Sequence, residues 1–264
     1  MFRAEVSLNL AIGSKCGAAS CRPYEYEIKT CLDLYVFLIA TWHTCVMKNS
    51  EVDRLGDRLR HAVTAEDLTL LDTFRRGFRH SYESVVDRIR SEPSLKVSGR
   101  PAKSTTAIVD KLKRGSMRLT QMQDIAGCRI VVSDITAQNL LLAKIKEMFK
   151  VIVADRREKP SYGYRAIHVI VQSTDLPVEV QLRTDLQHIW AEVSEKLSDA
   201  HGMALKYGGG PSVIRSTLDS FSDLVARFEK NLDSDVVQHE KVQELRIDIK
   251  RAMLDVTVAL EQQK

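Results

Sequence analysis

The sequence predicts an α+β protein in which a mixed β-sheet of about five strands is flanked by helices at both ends of the chain. Two observations lead to this fold class. In the middle of the chain, short runs of β-branched and other apolar residues alternate with segments of helical periodicity. Before and after that region, apolar residues recur only at helical spacing. This arrangement is typical of a sheet covered by helices.

The amino-terminal part is predicted to be helical. Apolar residues recur at helical spacing between residues 51 and 90, with a break near Thr64. Thr64 is a suitable N-cap for the second helix, because Asp67 follows three residues later as in a capping box. The segment 91–104 is rich in proline and glycine and is expected to form a loop or a short strand. A further helix is predicted over 105–114.

The central strands are predicted from their β-branched content and from alternation. Their approximate bounds are 127–133, 150–154, 164–172 and 178–183. In the last strand, Glu179, Gln181 and Arg183 share one face and apolar residues share the other, because successive side chains of a strand alternate. A strand whose only role is to pack in a core would not need polar side chains on its second face. We therefore interpret it as part of a binding or catalytic site.

Helices are also predicted between the strands and after them. One covers about 136–149, another starts at Asp185, and two more run over about 213–232 and 234–261. The last two are apolar along one side. They could pair subunits of a homo-oligomer or pack against the chain's own domain, and the sequence leaves both interpretations open.

The expected domain organisation follows from shifts in composition. Residues 1–46 are predicted to be a poorly defined tail that the fold does not need, as would follow from a misassigned start, because the composition changes sharply at Met47. Residues 47–211 would form the main domain with its amino-terminal helices. Residues 212–264 would form a carboxy-terminal helical extension.

The charge, the cysteine content and the apolar stretches of the sequence indicate which ligands and which location to expect. The formal net charge of +4 and a pI near 8.7 suit anionic ligands such as nucleotides without requiring a nucleic-acid partner. The five cysteines form no CxxC pair, so a zinc site is not expected and a reduced cytoplasmic location is the default. The apolar stretch 31–47 contains an aspartate and is shorter than the roughly 20 residues that span a bilayer. No membrane partner is therefore expected.

Two carboxylates stand out as candidate metal ligands. Asp124 lies just before the first buried strand, and Glu179 lies on the polar row. If these strands are neighbours, both carboxylates could converge on one Mg²⁺ ion beside phosphates. The basic residues that could surround such a site are Arg100, Lys103, Lys111, Arg129, Arg157, Lys159, Arg165 and Arg183. No GxxxxGK[ST] motif occurs, so phosphate binding would depend on side chains. The simpler alternatives are that Glu179 belongs to a solvated strand face and that His168 is a structural histidine.

Three ordered segments carry a resemblance to a known family. They read DIAGCRIVV over 124–132, GYRAIHVIV over 163–171 and VEVQLRT over 178–184, and GRPAKSTTAIVDKL precedes them at 99–112. In this order and at this spacing they resemble the synthetase domain of the RelA/SpoT family, which makes the alarmones ppGpp and pppGpp. The flanking helices are similar to those of the stand-alone small synthetases. The resemblance implies a nucleotidyltransferase-like fold.

The resemblance implies roles for the metal site and for the donor ATP. Asp124 matches the magnesium-binding aspartate, and Glu179 matches the glutamate that assists the metal and the attacking hydroxyl. Lys103 and Lys111 match lysines that hold the phosphates of ATP. Arg129 matches one of two arginines that sandwich the adenine.

The resemblance also implies an acceptor site. Tyr164 matches the tyrosine whose ring stacks on guanine, and His168 matches a histidine near the phosphates of the acceptor. Gln181, beside Glu179, is expected to support this site, and Lys159 is expected to bind the acceptor nucleotide.

The sequence departs from the family pattern at three positions. Pro101 stands where the family has an arginine, and Arg100 is displaced by one residue, so a small bulge would be needed to restore its ATP-binding role. Ala107 replaces a serine that contacts phosphate, although two threonines precede it. Tyr162 replaces a small polar residue and is expected to alter how the base or ribose of the acceptor is held.

The implied reaction is that of a GTP/GDP pyrophosphokinase, in which the ribose 3′-hydroxyl of GDP or GTP attacks the β-phosphorus of ATP and AMP leaves. Long family members also hydrolyse alarmones with a His–Asp dipeptide, and none of the seven histidines here is followed by aspartate. Hydrolase activity is therefore not expected. Two alternatives stay open at this point: a toxin-type relative that modifies the 3′ end of tRNA, and a non-catalytic nucleotide-binding module.

Overall fold

The computed structural model describes residues 47–92, 95–172, 174–201, 205, 208–232, 243–244, 246–251, 253 and 258. The expected tail over 1–46 lies almost wholly outside this part. Most of the second predicted carboxy-terminal helix also lies outside it, so subunit pairing through that helix stays a prediction.

The amino-terminal region contains three helices, α1 (Asn49–His61), α2 (Ala65–Arg76) and α3 (Arg79–Arg90). The break predicted at Thr64 is confirmed, because the Thr64 hydroxyl accepts a hydrogen bond from the amide of Asp67 at 3.1 Å and caps α2. The sequence pattern suggested one helix from there to residue 90. The chain instead turns at Gly77 and Phe78. Glycine has the lowest helix propensity of all residues except proline, so the helix ends readily at this position.

Five strands form one mixed sheet in the order β1-β2-β5-β4-β3. Their bounds are β1 (Val97–Arg100), β2 (Ala126–Val132), β3 (Val151–Asp155), β4 (Ile167–Val171) and β5 (Val178–Thr184). β2 and β5 are parallel neighbours, and the other pairs are antiparallel. The α+β class with a mixed five-stranded sheet is therefore confirmed.

Four further helices complete the fold: α4 (Thr105–Arg114), α5 (Ile135–Met148), α6 (Asp185–His201) and α7 (Ser212–Leu232). A short 3₁₀ helix covers Leu119–Gln121. Seven α-helices thus have defined bounds, and the described residues between 243 and 258 are also helical. In the part of the chain that the structure describes, no helix is long and apolar enough to cross a membrane.

The two faces of the sheet have opposite character. One face is apolar and belongs to the main core, which also includes residues of α1 to α5. Its central residues are Ala126, Cys128, Ile130, Ile167, Val169, Val178, Val180 and Leu182. The alternate residues form the opposite face, near which a second apolar cluster joins α6 to α7 around Trp190. The alternation of apolar and polar residues along the central strands therefore gives the sheet one buried apolar face and one polar face.

Strand register sets the rows of the polar face. Gln181 of β5 pairs with Arg129 of β2 on one side and with His168 of β4 on the other. Gly127 of β2 lies between Arg100 and Glu179 in a second row. Because directly paired residues of neighbouring strands point to the same face, these side chains share one surface.

Candidate active site

Asp124 lies just before β2 and is held by two lysines. Lys103 Nζ donates a hydrogen bond to Asp124 Oδ2 at 2.7 Å, and Lys111 Nζ lies 2.9 Å from Oδ1. The carboxylate is 18% exposed. Burial alone would raise the pKa of Asp124, but the charges and hydrogen bonds of the two lysines outweigh it and lower the pKa. Asp124 is therefore an ionised group surrounded by cations.

The two lysines reach Asp124 from different elements. Lys103 follows β1, and its amide donates to the carbonyl of Ile125 at 2.7 Å, which fixes this loop beside Asp124. Lys111 lies in the last turn of α4, whose N-cap Ser104 accepts a hydrogen bond from Ala107. Both predicted ATP-binding lysines are thus brought to the predicted metal ligand.

Glu179 lies between a histidine and an amide on the polar face. His168 Nδ1 is 2.7 Å from Glu179 Oε1, and Gln181 Nε2 donates to Glu179 Oε2 at 2.8 Å. Burial and the charge of Asp124 act to raise the pKa of Glu179, but His168 and Gln181 outweigh them and lower the pKa. The influence of Asp124 places the two carboxylates in one electrostatic site. His168 Nε2 is buried without a hydrogen-bond partner.

Arg183 connects this carboxylate site to Tyr164. It is 3% exposed, and Nη2 donates to the Tyr164 hydroxyl and to Gln181 Oε1, both at 3.0 Å. Its guanidinium also lies 5.1 Å from the centre of the Tyr164 ring. The sequence placed Arg183 on the polar row and among the basic residues around a phosphate site, but not beside Tyr164. Alternation along β5 predicted the face on which Arg183 lies. The hydrogen bonds of its guanidinium to Tyr164 and Gln181 are visible only in the folded structure.

Tyr164 is half-buried among aromatic and charged groups. Its ring packs edge-on against His168 at 5.6 Å between ring centres and at a tilt against Trp190 at 6.4 Å. Burial raises the pKa of the hydroxyl, although Arg183 acts to lower it. The ring is therefore fixed in place next to the Glu179–His168 pair, as the expected acceptor role requires.

Arg129 lies next to Gln181 in the sheet. Its Nε is buried without a hydrogen-bond partner, and burial together with the charge of Arg183 lowers its pKa. The guanidinium of Arg129 therefore lies partly buried on the polar face, beside Gln181 and near the charge of Arg183.

Arg100 reaches the polar face without the bulge that the sequence analysis required. It is the last residue of β1, pairs regularly with Gly127 and is exposed. Gly99 allows this pairing, because a Cβ there would lie 2.6 Å from the Cα of Cys128. Gly127 carries no side chain between Arg100 and Glu179, and a Cβ there would lie 3.0 Å from the carbonyl oxygen of Glu179, so the row is closely packed at this point.

Three other basic residues near the loop 156–163 are placed differently. Arg157 binds Asp155 and Asn139, and Arg165 binds Ser222 and Asp223. These two residues anchor the loop to α5 and α7 instead of presenting free charge. Lys159 is exposed on the same loop.

The hydroxyl that is lost at Ala107 is not replaced by Thr105. Arg75 Nη1 donates to the Thr105 hydroxyl at 3.3 Å and thereby engages it in the amino-terminal helices. Thr106, by contrast, is exposed in the first turn of α4. Thr106 is therefore the nearby threonine whose hydroxyl is exposed at the start of α4.

The donor set fits Mg²⁺. It consists of two carboxylates, and the described part of the chain holds no group of three or more His, Cys, Asp or Glu side chains that would suit a transition metal. Asp124 Oδ1 is buried and, although close to Lys111, has no well-aligned hydrogen bond. Asp124 Oδ1 faces the ammonium of Lys111, so a cation bound at this oxygen would have to displace that lysine.

Comparison with known proteins agrees with this arrangement. A family described as a region found in RelA/SpoT proteins matches residues 99–202. Uncharacterized protein Rv1366 of Mycobacterium tuberculosis is 34% identical over 204 residues, which cover 73% of this chain and 74% of that protein. Uncharacterized protein Mb1401 of Mycobacterium bovis matches to the same extent.

Two solved structures share the fold. Small alarmone synthetase 1 from Bacillus subtilis bound to its product pppGpp has a TM-score of 0.51 at 23% identity, over 62% of this chain and 95% of that one. A second structure of small alarmone synthetase 1 from Bacillus subtilis has a TM-score of 0.50 at 22% identity, over 69% of this chain and 99% of that one. The fold is thus that of the small alarmone synthetases. The chain belongs to the RelA/SpoT family.

Proposed function

We propose that this chain is a pyrophosphokinase that transfers the β,γ-pyrophosphate of ATP to the ribose 3′-hydroxyl of GDP or GTP. The observation that carries the proposal is the presence of two carboxylate centres at neighbouring strands, one just before β2 and one on β5. Asp124 is bound by Lys103 and Lys111, and Glu179 is bound by His168. The Asp124 centre brings two lysines together that can bind phosphates. The Glu179 centre holds an ionised carboxylate that can accept a proton from a hydroxyl.

The donor ATP would lie over the lysine side of the site. Lys103 and Lys111 would exchange part of their contact with Asp124 for phosphate oxygens and offset the charge that develops there. Arg129 and Arg100 lie on the same face of the sheet and would hold the adenine and the phosphates. Binding on a rigid sheet fixes the donor for in-line attack.

The acceptor would lie over the histidine side. Glu179 has a lowered pKa and is ionised at neutral pH, so it can accept a hydrogen bond from the 3′-hydroxyl and assist its deprotonation. Tyr164 would orient the base, and Arg183 holds its ring in place. The unpartnered Nε2 of His168 is free to contact the acceptor. Gln181 fixes the second oxygen of Glu179.

Asp124 and Glu179 are the residues that would hold Mg²⁺. When bound there, the ion would offset negative charge on the phosphate oxygens of ATP. The protein's own contribution is to keep both carboxylates ionised and to balance them with the lysines.

We further propose that the chain lacks alarmone hydrolase activity, since no His–Asp dipeptide occurs in it. Incubation of the protein with ppGpp and Mn²⁺ tests this. Metal-dependent loss of ppGpp would contradict it.

The central test is a transfer assay. Purified protein is incubated with γ-³²P-ATP and Mg²⁺, with GDP, GTP or bulk tRNA supplied in separate reactions. We expect label on the guanosine nucleotides and none after addition of a chelator or in Glu179→Gln. Asp110→Asn serves as a matched control, because Asp110 is an exposed carboxylate on α4. Label on tRNA alone, or on no acceptor, would refute the proposed substrate.

A further inference from the structure

Tyr164 follows directly after a two-residue hairpin turn. Ser161 and Tyr164 exchange two backbone hydrogen bonds, of 3.0 and 3.2 Å, across Tyr162 and Gly163. Both central residues have a positive φ, +51° at Tyr162 and +80° at Gly163, as in a type I′ turn. Tyrosine is unfavourable at the first of these positions, because residues with a Cβ rarely adopt a positive φ. The turn therefore needs contacts from the surrounding structure to hold this conformation.

Ser222 of α7 supplies such a contact on both sides of Tyr164. Ser222 is 2% exposed, and its hydroxyl donates a hydrogen bond of 2.6 Å to the carbonyl oxygen of Gly163. The same hydroxyl accepts a hydrogen bond of 2.9 Å from Nε of Arg165. Gly163 precedes Tyr164 and Arg165 follows it, so one buried hydroxyl fixes the chain before and after the tyrosine.

The packing around the turn adds to this restraint. A Cβ at Gly163 would lie 2.7 Å from Cζ2 of Trp190 and 3.4 Å from Cβ of Ser222. Trp190 donates from Nε1 to the carbonyl oxygen of Leu218 at 2.8 Å, and its ring packs against that of Tyr164. The helix α7 thus supports the tyrosine both through the backbone of the turn and through the indole of α6.

We propose that Ser222 is a positioning residue for the acceptor nucleotide, so that α7 is part of the acceptor site. The family match ends at residue 202, and α7 therefore lies outside it. Ser222 acts through Tyr164. Without its hydroxyl, the carbonyl oxygen of Gly163 and Nε of Arg165 lose a buried hydrogen-bond partner, and the ring is no longer held in one orientation. An acceptor base that stacks on this ring would then bind less tightly.

The donor side of the site is held by other elements. Lys103 and Lys111 reach Asp124 from the loop after β1 and from α4. A change at Ser222 should therefore weaken binding of the acceptor and spare that of ATP. The inference rests on the proposed function, because it takes Tyr164 as the residue that orients the acceptor.

The test measures the affinities of the full-length chain for GDP and for ATP by calorimetry in the presence of Mg²⁺. Ser222→Ala should weaken GDP binding about threefold to tenfold, the range that one neutral hydrogen bond typically contributes, and should change ATP binding less than about twofold. Alanine is smaller than serine and favours the helix, so this variant should fold.

Two other serine-to-alanine changes are matched controls. Ser220→Ala removes an exposed hydroxyl from the same helix. Ser81→Ala removes a buried hydroxyl that accepts a hydrogen bond of 3.1 Å from the amide of Leu176, in α3 on the apolar side of the sheet. Ser81→Ala should lower the Tm, as Ser222→Ala does, and leave the ratio of the GDP and ATP affinities unchanged.

Amide hydrogen exchange provides a readout that needs no ligand. The amide of Tyr164, which donates to the carbonyl oxygen of Ser161, should exchange severalfold faster in Ser222→Ala and at the unmodified rate in both controls. An unchanged exchange rate in Ser222→Ala would overturn the inference.

The binding data can overturn the inference independently. Equal losses of GDP and ATP affinity in Ser222→Ala, unchanged GDP affinity in that variant, a selective loss of GDP affinity in Ser81→Ala, or no GDP binding by the unmodified protein would each do so. A selective loss of GDP affinity in Ser222→Ala, in a protein that transfers no pyrophosphate, would instead refute only the proposed reaction.

Discussion

Replacing the two carboxylates of the site should have equal effects on activity and unequal effects on stability. Asp124→Asn and Glu179→Gln should both abolish pyrophosphate transfer. Asp124→Asn should also lower the free energy of unfolding, because it leaves Lys103 and Lys111 close together without their counter-ion. Glu179→Gln should leave stability nearly unchanged, because the glutamine amide can still accept from Gln181 and keep a hydrogen bond to Nδ1 of His168.

The magnitude for Asp124 follows from its contacts. At an effective dielectric constant of about 20, two unit charges about 3 Å apart attract by about 5.5 kcal/mol, and desolvation offsets most of this. Loss of one partner costs about 3–5 kcal/mol for buried pairs and under about 1 kcal/mol for exposed ones. Lys103, Lys111 and Asp124 are 16%, 30% and 18% exposed, between these limits. We therefore expect a loss of about 1–3 kcal/mol for Asp124→Asn and less than about 1 kcal/mol for Glu179→Gln.

Urea denaturation followed by circular dichroism measures both values, and the labelled-ATP assay measures transfer. Asp110→Asn, an exposed change of the same kind, should alter neither quantity. If Asp124→Asn were as stable as the unmodified protein, the lysine pair would not depend on this carboxylate for its charge balance. If either variant kept near-native transfer, the assignment of the metal site would be wrong.

Three further predictions follow from buried contacts. The pKa of Asp124 is lowered in the folded state, so its contribution to stability is present above the unfolded pKa of about 4 and is lost as the pH falls through the folded value. The difference in stability between the unmodified protein and Asp124→Asn should therefore close in acid. A constant difference in denaturation curves across pH would contradict this. Arg183→Lys keeps the charge but loses the planar guanidinium, whose Nη2 donates to both Tyr164 and Gln181 and which lies over the Tyr164 ring. It should cost about 1–2 kcal/mol and raise KM for the acceptor more than for ATP. Equal changes in both KM values would argue against a positioning role. Glu229→Ala should cost about 1–3 kcal/mol in thermal unfolding, because the hydroxyl of Thr184 and the amide of Gln187 lose their acceptor. Unchanged stability of this variant would contradict the reasoning.

The sequence was informative where structure depends on local periodicity. The start of α2 at a capping threonine, the bounds of α4 and the two faces of β5 could be predicted, because capping and alternation act over a few residues. The turn at Gly77 was missed, because the apolar spacing continues through it. The displaced Arg100 was expected to need a bulge, and the regular pairing with Gly127 depends on how closely two strands approach at Gly99.

The sequence by itself determined which residue types alternate on each strand, and the family motifs made Asp124 and Glu179 candidates. The tertiary structure decided that β2 lies beside β5, strands separated by about fifty residues, and so put both carboxylates in one site. It also decided that Arg157 and Arg165 anchor a loop, and that Asp219 of α7 lies against Gly163. Strand order and helix docking depend on how distant apolar faces pack together, and no local pattern encodes which side chains meet when they do.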